Sequence, residues 1–319
     1  MRSFLGVDIG GTKCAVCLGD DAGTIIDRIA FATNERQGPQ QAIDNLIRSS
    51  QQLIDRHRAR TGKLSGIGIS CGSPLDPERG IVQAPANLPS WVDVPITRIF
   101  SEHFALPAFL ENDANAGAIA EHAFGAGRGC QHMIFCTMGT GMGAGLILNG
   151  RIYRGANVYA GEVGHIRLER FGPVGCRKAG SFEGFCSGGG IAQLAAMERG
   201  QWQGATSLPE RPTAKDVGEG ATQGDALSLR ILDQVGHYLG VGLAYVLDII
   251  NPERVVIGSI FARCERFLRP AMQRALEAEA LPQTVRACTI VPAQLGEQIG
   301  DFAAIAVAVD QVERAAAAR

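Results

Sequence analysis

Twice along this chain an apolar strand runs into a glycine-rich turn and out into a second strand, and that recurrence limits the folds open to it. The first copy joins residues 4–9 and 13–18 through Gly10-Gly11; the second joins 132–138 and 144–148 through 139–143. Each copy adds a third strand: 24–32 after the turn Asp20-Asp21-Ala22-Gly23, and 151–153 after Asn149-Gly150. Beyond the first meander, Ile43, Leu46, Ile47, Leu53 and Ile54 fall at helical spacing over 40–60. Residues 64–70 and 108–110 read as strands and 114–124 as an alanine-rich helix. Later, 225–250 reads as a long helix, 254–257 as a strand and 301–318 as a terminal helix. The duplication is one of architecture rather than of a short period, and it predicts two related lobes. A length of 319 residues agrees, since one hydrophobic core usually stops growing before that size. A cleft between two lobes is the natural place for a ligand.

The glycine turns are not those of the common nucleotide folds. A P-loop ends Gly-Lys-Ser/Thr and opens a helix, whereas here Thr12-Lys13 leads into a strand. Gly139-Thr140-Gly141-Met142-Gly143-Ala144 approximates a dinucleotide fingerprint, but it too continues as a strand. A hairpin turn can still hold an anion, because consecutive glycine amides with no side chains in the way form a concavity of donors. Two such turns could grip one polyphosphate, with Thr12 and Thr140 adding hydroxyls, Lys13 a charge and Asp8 a carboxylate suited to hydrated Mg²⁺. A tight β-turn accounts for either loop taken alone. The pair together, with Asp8 in place, favours phosphate.

Composition narrows the partners. Thirty Lys and Arg against 32 Asp and Glu leave a net charge of -2, with no electrostatic footprint for nucleic acid or an anionic membrane. The first residues carry Asp8 inside their apolar run and no cleavage pattern, and no uncharged run approaches the ~20 residues of a membrane span, so a cytoplasmic protein is expected. Nine scattered cysteines do not form a disulfide framework. Cys14 and Cys17 lie in an alternating strand and point to opposite faces, which argues against a metal or redox pair.

Four motifs then make the sequence resemble the ROK family of sugar kinases and sugar-responsive repressors. They are Asp-Ile-Gly-Gly-Thr-Lys at 8–13, Glu-Asn-Asp-Ala-Asn-Ala at 111–116, Met-Gly-Thr-Gly-Met-Gly-Ala-Gly at 138–145 and Gly-Glu-Val-Gly-His at 161–165. The resemblance covers almost the whole chain in order. It implies an α/β, actin-like ATPase (ribonuclease H-like) fold, with two lobes that each carry a mixed β-sheet flanked by helices and a ligand cleft between them. The expected division is 1–112 plus 301–319 as a small lobe to which the terminal helix returns, and 113–300 as a large lobe. The implied reaction is ATP-dependent phosphorylation of a hexose hydroxyl, foremost the 6-hydroxyl of glucose, with N-acetylmannosamine, mannose, fructose or allose as other substrates. A dimer or higher homo-oligomer is implied as well.

Residue by residue, the resemblance makes Asp113 the general base, and chemistry agrees, because a carboxylate must accept the hydroxyl proton as the phosphoryl group moves. A helix cap at Asn112 or Asp113 is the plainer reading, and the two roles are compatible. Sugar contacts fall on Asn87, Asn112, Asp113, Glu162, His165 and Glu183, each of which alone could be an ordinary surface polar group. ATP and phosphate contacts fall on Asp8, Gly10, Gly11, Thr12, Lys13, Thr137, Gly139, Thr140, Gly141 and Gly258, with Mg²⁺ held at Asp8 through water. The strand ending at Gly258 approaches the adenine side, although the family's usual second glycine is Ser259 here, and a plain strand end would explain it.

One departure stands out. Many family members hold a structural zinc with the His of Gly-His and a Cys-x-Cys-x4-Cys run before the Glu. Here those cysteine places are Val174, Cys176 and Ser181. His165 and Cys176 alone cannot make a closed four-ligand site, so zinc is expected to be absent, with the loop around 172–175 held by packing and turn chemistry. A repressor would need a DNA-binding domain ahead of the first strand, and that strand begins near Phe4. A non-catalytic sugar sensor remains the alternative function.

Overall fold

The computed structural model describes residues 2–317. The chain forms two compact units, Met1–Arg128 with Ala156–Val158 and Glu297–Arg319, and Gly129–Gly155 with Tyr159–Gly296.

In the first unit, β1 (Ser3–Ile9), β2 (Lys13–Asp20) and β3 (Ile25–Ala32) form an antiparallel meander. After α1 (Pro39–Thr61) comes β4 (Ile67–Cys71), then the small hairpin of β5 (Leu75–Asp76) and β6 (Ile81–Val82). Next come α2 (Ile96–Phe104), β7 (Ala108–Asn112) and α3 (Asp113–Phe124). The sheet order is β3-β2-β1-β4-β7, with β1, β4 and β7 parallel.

Strand alternation sorts the side chains. Leu5, Val7 and Ile9 join one core with Ile43, Leu46 and Leu53 of α1, while Phe4 packs with Ile305, Ala308 and Val309 of the terminal helix Ile299–Ala317. Asp8 shares the Phe4 parity and so belongs to the terminal-helix face. Cys14 and Cys17 separate the same way, into the first and the second of these clusters. Close approach of the helix requires a bare strand: a Cβ on Gly68 would overlap the Ala304 carbonyl and come within 2.7 Å of the Ala308 nitrogen. Ala318, expected as the end of this helix, lies outside the described residues.

The second unit repeats the plan. Strands β8 (Met133–Cys136), β9 (Ala144–Leu148) and β10 (Arg151–Tyr153) form the meander. The hairpin β11 (Val174–Gly175) and β12 (Lys178–Ala179) precedes α4 (Phe182–Cys186), α5 (Gly188–Gln201), α6 (Ala214–Thr222) and α7 (Ala226–Ile250). Then follow β13 (Arg254–Ile257), α8 (Ile260–Glu279), α9 (Pro282–Ala287) and β14 (Thr289–Pro292). The order β10-β9-β8-β13-β14, with β8, β13 and β14 parallel, matches the first sheet strand for strand.

The expected boundary at 112/113 falls inside the first compact unit, because α3 packs on the terminal helix, with Phe124 against Phe302 at 6.3 Å between ring centroids. No helix of the described residues is long and apolar enough to cross a membrane.

Candidate active site

In the first unit, β7 ends where the chain turns into α3, and that corner presents Asp113. Asn112 is the cap: its side-chain oxygen accepts the Ala114 and Asn115 amides at 3.0 and 3.2 Å. Asp113 is thereby left as the first helical residue, exposed, with Oδ1 accepting the Ala114 amide at 2.8 Å and the Asn112 side-chain amide at 3.1 Å. Buried Glu111 braces the corner by accepting the Asn112 amide and the Asn115 side chain. Of the two cap candidates, then, Asn112 does the capping and Asp113 keeps a solvent-facing carboxylate.

Asn87 belongs to a turn closed by Leu88 N donating to the Pro85 carbonyl at 2.7 Å and anchored by buried Leu88 and Trp91. Two glycines bring it to the other site residues. A Cβ on Gly11 would lie 2.5 Å from the Asn87 carbonyl oxygen, and one on Gly72 would lie 3.5 Å from Asn87 Oδ1 and 3.9 Å from Asp113 Oδ2. The first glycine turn, Asn87 and Asp113 therefore converge. Thr12 and Lys13 are exposed at that turn, and the Gly10 amide donates to the Lys13 carbonyl at 3.1 Å.

Asp8 ends up beside a second acid. Buried Asp301, on the terminal helix, takes Arg28 Nε at 2.9 Å on Oδ1 and 2.6 Å on Oδ2. The Asp8 carboxyl is pushed up to about 7: burial is the first cause, the charges of Asp301 and Asp113 add to it, and Arg28 and Lys13 oppose it. A carboxylate short of counter-charge, with other acids near and Arg28 already engaged, fits a hydrated divalent cation.

The second glycine loop, residues 137–143, is held by its own threonine. Thr137 N donates to the Gly143 carbonyl at 2.9 Å, the Gly143 amide donates to Thr137 Oγ1 at 3.1 Å, and Gly139 N donates to the Gly141 carbonyl at 3.1 Å. Thr140 is exposed at its tip. Sequence reasoning missed what supports this loop: Gly188 N, at the start of α5, donates to the Gly139 carbonyl at 2.7 Å, and Ile260 N, at the start of α8, donates to the Met138 carbonyl at 3.0 Å. The Ser187-Gly188-Gly189-Gly190 run was the available signal. Gly258 follows β13, its amide donating to the Cys136 carbonyl at 2.9 Å. The next residue, Ser259, has φ 53° and ψ -111°, a conformation suited to glycine, which is the physical reason a second glycine is usual there.

Glu162 and His165 are both exposed, with His165 Nε2 3.8 Å from Glu162 Oε2. Glu183, on α4, accepts the Met142 amide at 3.0 Å on Oε2 and the Cys176 amide at 2.8 Å on Oε1. Its carboxylate thus already bridges the second glycine loop and the segment that follows His165.

The positions that the family resemblance implies for zinc offer a poor donor set here. Val174 has no donor atom, and its backbone is held on both sides by Gln193, at 2.9 Å each. The Ser181 hydroxyl donates to the Gly175 carbonyl at 2.9 Å and caps α4 by accepting the Gly184 amide at 3.0 Å. Cys176, half-buried, sits with Arg177 in the two-residue β11–β12 turn, both at positive φ. Burial and the Glu183 carboxylate push its thiol up to about 12, far from the thiolate that metal binding needs. These groups do not fit a closed zinc site. Among the described residues no cluster of three or more His, Cys, Asp or Glu is arranged to hold a metal ion. The hydrogen bonds just described tie this loop to α4 and α5, and Phe185 of α4 stacks on Tyr238 with 3.6 Å between ring centroids.

Two mixed sheets of one topology, each with a glycine hairpin, define a protein of the actin-like ATPase fold. The sequence model of the ROK family matches residues 4–311, and the chain belongs to that family. A glucokinase from Halalkalibacterium halodurans is 33% identical over 306 residues, spanning 94% of this chain and 92% of that protein. A ROK family glucokinase from Streptomyces griseus, solved in complex with glucose and AMPPNP, is 27% identical with a TM-score of 0.75, over 98% of this chain and 99% of that one. The xylose repressor of Bacillus spizizenii is 29% identical over 92% of this chain and 73% of its own length.

Proposed function

We propose that this protein transfers the terminal phosphoryl group of ATP to a hexose hydroxyl, foremost the 6-hydroxyl of glucose. The observation that carries the proposal is Asp113: a helix-starting carboxylate relieved of capping by Asn112, exposed, and gathered with Asn87 and the first glycine turn. In this reading Asn87 and Asn112 orient the sugar, joined by Glu162, His165 and Glu183 of the second unit. Asp113 takes the hydroxyl proton as the oxygen attacks phosphorus. The amides of Gly10 and Gly11, with Thr12 and Lys13, and those of Gly139 and Gly141, with Thr137 and Thr140, cradle phosphate oxygens. Asp8 would hold Mg²⁺ through water, and the ion supplies charge neutralisation on the phosphates. Zinc has no part in this reading.

The glucokinase relatives support glucose as the first substrate to try. A coupled ADP-release assay over glucose, N-acetylmannosamine, mannose, fructose and allose tests the proposal. Turnover with at least one sugar is expected. The repressor relative supports a second reading, a sugar sensor without catalysis. Sugar binding without ADP release from any of the five would favour the sensor and defeat the kinase.

A further inference from the structure

We infer that Glu183 is a positioning residue, a strut that fixes the second glycine loop against the segment standing at the zinc positions. This goes beyond a sugar contact, and its ATP-linked consequence rests on the kinase reading above. The carboxylate spends one oxygen on each side: Oε2 accepts Met142 N inside the glycine loop, and Oε1 accepts Cys176 N at the β11–β12 turn. Each is a charge-assisted bond to a backbone amide, about twice as strong as a neutral one.

The surroundings are shaped around this side chain. A Cβ on Gly141 would lie 2.9 Å from Glu183 Oε2, one on Gly164 3.3 Å from Glu183 Cβ, and one on Gly175 2.8 Å from Glu183 Cγ. Three glycines, from the phosphate-type loop, the Gly-His step and the β11 strand, are thus bare where Glu183 passes. Gly164 also abuts the Met142 carbonyl, so the same side chain and the same glycine meet at one point of the loop. The base of the strut is rigid, since Ser181 caps the helix that carries it and Phe182 is fully buried. One carboxylate connects the turn at Cys176 to the loop proposed to hold phosphate. Loss of that carboxylate's charge weakens its hold on both ends together.

Glu183→Gln keeps the shape but replaces one acceptor oxygen with an NH₂ group that cannot take an amide proton. Hydrogen exchange followed by mass spectrometry on wild type and variant reads the strut without catalysis. Expected are loss of protection in the peptide covering Met142, the one covering Cys176, or both, according to which amide faces the NH₂ group, and a KM for ATP raised about tenfold where the Met142 bond is the one lost. A change in sugar KM reports the separate sugar contact. Gln193→Ala serves as the comparison: it frees Val174 from outside, so it should deprotect 172–180 while leaving 138–145 and the ATP KM as in wild type. Unchanged protection at both Met142 and Cys176 in Glu183→Gln overturns the inference, as does loss of protection at Met142 with an unchanged ATP KM in an active enzyme. Should wild type prove inactive with every sugar, the exchange measurement still decides the strut, and only the kinase reading falls.

Discussion

At the scale of single residues, Asp8 and Ser259 show local strain kept at the proposed site. A carboxyl held near 7 in the folded chain and near 4 in the unfolded one stabilises the fold below about pH 4 relative to higher pH. That contribution is lost as the pH rises through about 7, when the buried group must ionise. Asp8→Asn should therefore raise the thermal midpoint at pH 8 in metal-free buffer, with the difference from wild type closing toward pH 4. At about 1.4 kcal/mol per pKa unit, the effect is on the order of a few kcal/mol. A midpoint that the substitution leaves unchanged at pH 8 would show that the charge is not under strain. Ser259 carries its strain in the backbone, and Ser259→Gly should stabilise the protein by roughly 1 kcal/mol, read as a higher urea midpoint. The sequence showed the missing glycine but not the positive φ, which belongs to the sharp exit from β13 into α8.

The elements show where sequence reasoning ran out. Short apolar runs bounded by glycine and turn residues predicted β9, β10 and β13 to the residue. Nothing was assigned over 260–292, yet α8, α9 and β14 lie there. For α8 the signal was present, since Ile260, Phe261, Cys264, Leu268, Met272 and Leu276 fall at helical spacing, although Pro270 interrupts it; the four-residue length of β14 leaves a weak signature, and it is the pairing with β13 that makes β14 a strand. The absence of two zinc cysteines was legible; what stands in their place was not, since Ser181 reads in sequence as one more polar residue. Its hydroxyl ties β11 to the start of α4. Ser181→Ala should cost about 1 kcal/mol through the lost cap and make the 166–181 segment cleave faster in limited proteolysis, while metal analysis of wild type finds no stoichiometric zinc. One tightly held zinc per chain, or unchanged proteolysis of the variant, would refute this account of the loop.

For the whole molecule, the duplication was the most legible feature and the structure repeats it strand for strand. Two glycine hairpins could be read because each stands between two apolar strands. Less legible was how α3 would be shared out: its alanines look like generic helix formers, and only packing on the terminal helix assigns it to the first compact unit. The convergence of Gly11, Asn87 and Asp113 was likewise beyond the sequence, which places them more than 100 residues apart end to end. That convergence makes Asp113 the centre of the proposed chemistry. The most direct test is Asp113→Asn assayed for ADP release on the best sugar, with sugar and nucleotide affinities measured alongside by calorimetry. A fall in kcat of at least about a hundredfold, with both ligands still bound, is the predicted result. Full turnover by the variant would contradict it.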